Sequence, residues 1–273
     1  NLIVYGLITN SSIPQLYLAG IIPGLILTLL FMVVTIVACR LRPAWGGMPV
    51  DASWQVRIHA LRELVPPLLM LLLVLGSIYL GWATATESAA LGVGGAMAIA
   101  AYRGTLNWSM LRLALEGTMR TTSMIMLIVM AAFFLNFALV SVGFTQKVVQ
   151  TVTTLELSPM GILLAVVIFY LVLGCFMETM SMMIATIPLV APIVFAAGFD
   201  PVWFGVLVIV LMEAAMITPP VGINLFVIQG LRRSGRIGDI AIGVIPFHLA
   251  ILGLIALLVI EPQIALWLPQ TLR

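Results

Sequence analysis

The residues best suited to chemistry in this 273-residue chain lie in one apolar stretch, 171–231, which carries Glu178, Asp200 and Glu213, two adjacent prolines and several glycines. Its sharpest feature is Ile217-Thr218-Pro219-Pro220-Val221-Gly222-Ile223-Asn224. Adjacent prolines remove two backbone donors and set their rings against carbonyls one turn back, and the glycine frees the chain to turn. A helix beginning near Val202 is therefore expected to stop near Ile217 and restart near Ile223. The freed carbonyls, the Thr218 hydroxyl and the Asn224 amide are hard oxygen donors for a small cation. The N-terminus of the second half, with unpaired N–H groups and a positive dipole end, suits a carboxylate. The alternative is a proline kink in an ordinary packed helix. In lipid, where an open backbone finds no hydrogen bonds, a true break must be buried in protein or line a wet cavity.

Just upstream, two apolar runs, 162–176 and 179–197, are separated only by Met177 and Glu178. The first is short of the ~20 residues that a full crossing requires. A re-entrant helical hairpin with its tip at 174–181, from Gly174 through Glu178 and Thr179 to Ser181, accounts for both facts. Pro188 and Pro192 fit an irregular, packed descending arm. Glu178 could act as a ligand, a proton carrier or a buried hydrogen-bond acceptor. Glu213, one turn before the break, is a candidate proton or cation partner, whereas Asp200, just before Pro201, reads as a helix cap. A second polar cluster, 83–90, places Thr84, Thr86, Glu87 and Ser88 between two short apolar runs. It reads either as broken, re-entrant structure or as an external loop. No H-E-x-x-H, G-x-S-x-G or CxxC occurs, and His59 and His248 stand far apart, so an enzyme is not expected.

These residues need helices to hold them at membrane depth, and the composition supplies them. With 63% hydrophobic and 8% charged residues and a mean hydropathy of +1.23, the whole chain reads as an all-α polytopic membrane protein. Nucleic acid is not an expected partner; the lipid bilayer is. Cys39 and Cys175 both lie in apolar runs and indicate neither a disulfide nor a zinc site. Arginines set the orientation. Residues 16–39 span and end at Arg40 and Arg42, on the cytoplasmic side. Residues 41–64, with Arg57, Arg62 and two tryptophans, form an amphipathic interfacial arm. Residues 68–82 cross outward and 88–101 return to Arg103. A surface helix, 106–116, precedes an outward span, 122–142, and a connector, 143–158. The hairpin then enters from outside, and the helix from Val202 runs inward to Arg232, Arg233 and Arg236. A final span leaves the 269–273 tail outside. The chain thus divides into 1–40, 41–65, 66–158, the core transport segment 159–231, and 232–273. It opens in mid-helix at Asn1 and reads as a partial chain.

An internal repeat adds to this. At an offset of 223 positions, Asn1-Leu2-Ile3-Val4 aligns with Asn224-Leu225-Phe226-Val227, and Gly20-Ile21-Ile22-Pro23 with Gly243-Val244-Ile245-Pro246. The first copy turns through uncharged Asn10-Ser11-Ser12, the second through Arg232, Arg233 and Arg236. By the positive-inside rule the two units lie in opposite orientations, the pattern of inverted-repeat transporters.

The segments ATATESAALG, GCFMETMSMMIATIPLVAPIV, GFDPVWFGV, ITPPVGINLFV and IALWLP together resemble the large membrane subunit of tripartite ATP-independent periplasmic (TRAP) transporters. The likeness runs from Asn1 to Pro269, with Ala85 standing where that family usually has a proline. It implies an elevator-type fold like that of the ion-transporter superfamily, in the inner membrane of a bacterium or archaeon. It also implies sodium-coupled import of an organic acid, such as a C4-dicarboxylate or sialic acid, delivered by a periplasmic substrate-binding protein, with a small membrane subunit as scaffold. The alternative is a stand-alone cation/carboxylate symporter. No organic cofactor is implied; Na+ is the coupling ion. Carried over, Gly174, Glu178, Thr179, Ser181, Thr218, Pro219, Pro220, Gly222 and Asn224 form one sodium site and part of the carboxylate site. Na+ itself lies near Thr218, Gly222 and Gly174. Thr84, Thr86 and Glu87 flank the core, and the first hairpin and first proline break precede Asn1.

Overall fold

The computed structural model describes residues 1–46, 53–143, 147, 150, 158–218, 222–232 and 236–272. Among them every regular element is helical. In chain order these are α1 (Leu2–Thr9), α2 (Ile13–Leu41), a 3-10 turn (Pro43–Gly46), α3 (Trp54–Arg62), α4 (Val65–Tyr79), α5 (Ala85–Tyr102) and α6 (Trp108–Ser141). They are followed by α7 (Pro159–Leu173), α8 (Thr179–Ala196), α9 (Pro201–Met216), α10 (Ile223–Arg232), α11 (Ile237–Ile260) and α12 (Gln263–Thr271). Five stretches among the described residues are long and apolar enough to cross a bilayer: Ile13–Leu41, Trp54–Tyr79, Trp108–Leu139, Thr179–Ala196 and Ile237–Ile260. The apolar helices α7 and α9 are shorter. The chain is an all-α polytopic membrane protein.

Two compact units divide it, one built from 1–41 and 125–273, the other from 42–124. The first is organised around α9, which touches α1, α2, α7, α8, α11 and α12. Local chemistry starts this helix cleanly. The Asp200 carboxylate accepts from the Val202 and Trp203 N–H groups at 2.8 and 3.0 Å, and Pro201 fills the first turn, where no N–H is needed. The expected cap is therefore present. Trp203, Phe204, Leu207 and Leu211 are then fully buried against Tyr5, Met182, Ile187 and Leu258. The polar atoms of Trp203 and Tyr5 are satisfied: Trp203 Nε1 donates to the Leu258 carbonyl at 2.9 Å, and the Tyr5 hydroxyl to the Pro201 carbonyl at 2.7 Å. Gly205 lets the Tyr5 ring come this close, since a β-carbon there would run into it. Trp203→Ala is therefore expected to cost about 3–5 kcal/mol, and Trp203→Phe only about 1–3 kcal/mol from the orphaned carbonyl. Thermal unfolding in detergent should rank them so, with the 77% exposed Trp108 giving almost nothing when changed to alanine.

In the 42–124 unit, α4 and α5 pack together across a short connection in which Gly81 takes φ +68°. The polar cluster at 83–90 is thus the start of a helix. Thr84 caps α5, and Glu87 completes a capping box by accepting from the Thr84 N–H and hydroxyl, both at 2.8 Å. The buried Ser88 hydroxyl pairs with that of Ser77 at 2.8 Å and ties the two helices together. One expectation is corrected. The surface helix at 106–116 and the span at 122–142 are one continuous helix, α6. Gly117 alone weakens a helix by only about 1 kcal/mol, no proline follows it, and Arg112 donates to Glu116 one turn on at 2.7 Å. Helix α8 carries Pro188 and Pro192 in its interior, as the packed descending arm expected from the sequence, held by the buried flank from Met182 to Val194. Most of the 143–158 connector lies outside the described residues.

The repeat found in the sequence is visible in the element boundaries. At the same offset of 223 the last residue of α1, Thr9, meets that of α10, Arg232. Helices α2 and α11 begin within one residue of each other and carry Pro23 and Pro246 at matching positions. The two long helices also pack together, with the Phe31 and Phe247 rings edge to face at 5.3 Å.

Candidate functional site where the hairpin meets the broken helix

Helix α7 ends in a tight turn. The N–H groups of Gly174 and Met177 reach back to the carbonyls of Tyr170 and Leu173 at 2.9 and 3.1 Å, and Glu178 opens α8. Its carboxylate accepts from the Met180 and Ser181 N–H groups at 2.9 and 3.1 Å and from the Ser181 hydroxyl at 3.3 Å. Glu178 is exposed rather than buried, and its observed partners make it a helix cap. The arms are pinned below the tip by Tyr170 and Thr186, whose hydroxyls lie 2.9 Å apart in a buried contact. Thr186 spends its proton on the Met182 carbonyl at 2.7 Å, so Tyr170 is the donor.

The proline-containing helix breaks where the sequence places it. α9 stops at Met216, α10 restarts at Ile223, and Pro219, Pro220 and Val221 lie outside the described residues. Before the break, the N–H groups of Ile217 and Thr218 bond to Ala214 and Ala215, and the Thr218 hydroxyl folds back on the Ala214 carbonyl at 2.9 Å. After it, Gly222 takes φ +25°. Two carbonyl oxygens border the space where Gly222 lacks a side chain: a β-carbon there would lie 3.0 Å from that of Thr218 and 3.1 Å from that of Met216. Main-chain oxygens gathered around an open Cα are the donor set a small hard cation takes in place of its hydration shell.

Hairpin and break are in contact. Gly174 lies so close to α9 that a β-carbon on it would overlap that of Ala215. Cys175 Sγ sits 3.3 Å from the Leu171 carbonyl and 4.0 Å from that of Thr218, and the Thr179 hydroxyl bonds to the Met216 sulfur. Thus Gly174, Thr179, Thr218 and Gly222, chosen from sequence, come together. Ser181 stays on the Glu178 cap, and Asn224, half-buried, stands in the first turn of α10. Glu213 is exposed and accepts from Asn1 Nδ2 at 3.2 Å. Thr84, Thr86, Glu87 and Ser88 belong to the 42–124 unit. Sequence reasoning missed Ala215 and Met216 as partners of the tip, because neither residue type signals a site. It also missed Asn1, although Asn1 occupies the repeat position of Asn224. For Glu178, glutamine keeps an acceptor at the cap and alanine does not. Glu178→Gln should keep most of the stability, while Glu178→Ala loses about 0.5–2 kcal/mol. Thermal unfolding in detergent checks this; a glutamine variant as unstable as the alanine one would show that the cap needs the charge itself.

Residues 1–264 match the family described as Tripartite ATP-independent periplasmic transporter, DctM component. The chain belongs to this family. It is similar to the sialic acid TRAP transporter large permease protein SiaM of Vibrio cholerae, 31% identical over 98% of this chain and 62% of the relative. It is likewise similar to the C4-dicarboxylate TRAP transporter large permease protein DctM of Pseudomonas aeruginosa, 32% identical over 99% of this chain and 63% of the relative. The ectoine TRAP transporter large permease protein TeaC of Halomonas elongata is 29% identical over 98% of this chain and 62% of its own length. The chain therefore spans a little under two thirds of the length of these relatives. As a TRAP permease with several helices able to cross a bilayer, it is an inner-membrane protein.

Proposed function

We propose that this chain forms part of the large permease of a sodium-coupled importer of organic acids. In this reading, residues 174–224 hold one sodium ion and part of the carboxylate. The observation that carries it is the seating of Gly174 against Ala215, which sets the hairpin tip beside the carbonyl oxygens of Met216 and Thr218. Main-chain oxygens would replace the shell of a dehydrated Na+, and the N-terminus of α10 would face the substrate carboxylate, that of α8 being capped by Glu178. The family and the named substrates of the three relatives above support a carboxylate-bearing compound as cargo. As a TRAP-type protein it would receive the acid from a periplasmic binding protein and work beside a small membrane subunit. The hairpin-bearing core would then shuttle in an elevator motion. The tip and the break would move together, because both pack on α9.

The test lies in Thr218 and Asn224. Thr218→Ala and Asn224→Ala are each expected to abolish sodium-dependent uptake in proteoliposomes holding the complete transporter, at unchanged expression. Sodium dependence unchanged in both variants would contradict the proposal. Uptake that stays concentrative without the binding protein would instead mark a stand-alone symporter.

A further inference from the structure

The 42–124 unit has a feature that transport chemistry does not use. Between the start of α4 and the end of α5 lies an open groove of about 870 Å³. Its trough is apolar, formed by Val65, Pro66 and Leu69 on one side and Ala98 and Ile99 on the other. Its lip is polar and carries Arg62, Glu63, Arg103 and Thr105. Arg103 donates to Glu63 at 2.9 Å, so that pair is neutral. Arg62 makes no ion pair among the described residues, and the lip keeps a net positive charge.

The depth of this lip in the membrane follows from α3, which buries no residue. Trp54, Ile58 and Leu61 recur on one helical face, Arg57 and Arg62 flank it, and the Arg57 guanidinium lies 5.5 Å from the Trp54 ring centre. A helix of this pattern lies at headgroup level, and the arginine-rich turns on either side put it on the cytoplasmic face. The trough then descends from the headgroups into hydrocarbon.

We infer that this groove is a binding site for an anionic diacyl glycerophospholipid. Its phosphate is held at Arg62 and Arg103, and one acyl chain lies along Leu69 and Ala98. A soluble phosphate would leave the trough empty. A zwitterionic lipid is neutral overall and leaves the lip's one net positive charge unbalanced, whereas an anionic headgroup neutralises it. Basic pockets between helices at the cytoplasmic surface attract acidic headgroups for this reason.

The site is tested by native mass spectrometry of the full-length transporter, titrated with a phosphatidylglycerol and, separately, with the phosphatidylcholine of the same chains. Discrete phosphatidylglycerol adducts are expected, with weaker binding of phosphatidylcholine. Arg62→Gln and Arg103→Gln should each weaken phosphatidylglycerol binding about fivefold. Arg62→Lys should retain it, as should Arg112→Gln, which alters an arginine paired with Glu116. Leu69→Trp, which fills the trough without changing charge, should weaken it as well, and it decides the matter if an arginine variant fails to fold. Glycerophosphoglycerol, the headgroup without chains, should not compete. Equal binding of the two lipids, competition by the bare headgroup, or wild-type binding by both Leu69→Trp and Arg62→Gln would overturn the inference.

Discussion

Gly174→Ala should abolish uptake, and adding Ala215→Gly to the same chain should restore a substantial part of it. Gly174 has an ordinary right-handed backbone, φ −70°, so alanine meets no conformational penalty there. The obstacle is steric: the new methyl would overlap the Ala215 β-carbon and lie 3.1 Å from the Tyr170 carbonyl oxygen. Overpacking of this kind costs about 1–3 kcal/mol or displaces the backbone, and here the displaced element is the hairpin tip. A tip pushed away from α9 no longer faces the carbonyls of the break, and uptake should fall by about tenfold or more. Ala215→Gly removes the atom that the methyl strikes, at about 1 kcal/mol for glycine within a helix, which is why rescue is partial. The double-mutant comparison of sodium-dependent uptake, with expression and melting followed in parallel, reads this coupling directly. Wild-type uptake by Gly174→Ala would mean that the tip does not work against α9.

Gly222→Ala should also raise the sodium concentration needed for half-maximal uptake by about tenfold, and here no second-site change should rescue. The residue sits at φ +25°, where a side chain is strained by roughly 1–2 kcal/mol. Its β-carbon would be pressed among main-chain atoms, the carbonyl oxygens of Met216 and Thr218 and the carbonyl carbon of Ile217 at 3.2 Å. Backbone atoms cannot be trimmed by mutation. The two glycines are therefore distinguishable in one assay: Gly174 by rescue, Gly222 by its absence together with a shift in sodium dependence. An unchanged sodium response in Gly222→Ala would place the ion elsewhere.

Much of this was legible in the sequence because it rests on backbone chemistry. Two prolines and a glycine specify a helix stop near Ile217 and a restart at Ile223 without any knowledge of neighbours. Asp200 before Pro201 likewise announces the start of α9. The hairpin turn between α7 and α8 was legible from a shortage of apolar residues. What escaped was either tertiary or a local capping motif. Ala215 matters only through its position opposite Gly174, and alanine in an apolar helix carries no signal. The bond between Asn1 and Glu213 joins residues 212 apart. Thr84-Ala85-Thr86-Glu87 has the spacing of a capping box, and that is the role in which the structure shows Thr84 and Glu87. Glu178, by the same logic, was set at the tip by the need of α8 for an acceptor. The continuity of α6 was missed because a surface segment and an apolar span read as separate elements, although the lone glycine between them weakens a helix too little to end one.

The central claim is that the hairpin tip and the broken helix together hold sodium and an organic acid. The measurement that tests it most directly is uptake of labelled carboxylates, among them sialic acids and C4-dicarboxylates, into proteoliposomes containing the full-length permease, its small subunit and the periplasmic binding protein. An inward sodium gradient should drive accumulation above the external concentration, and collapsing that gradient should stop it. Uptake indifferent to sodium would leave the carbonyls around Gly222 without an ion to hold and would contradict the account.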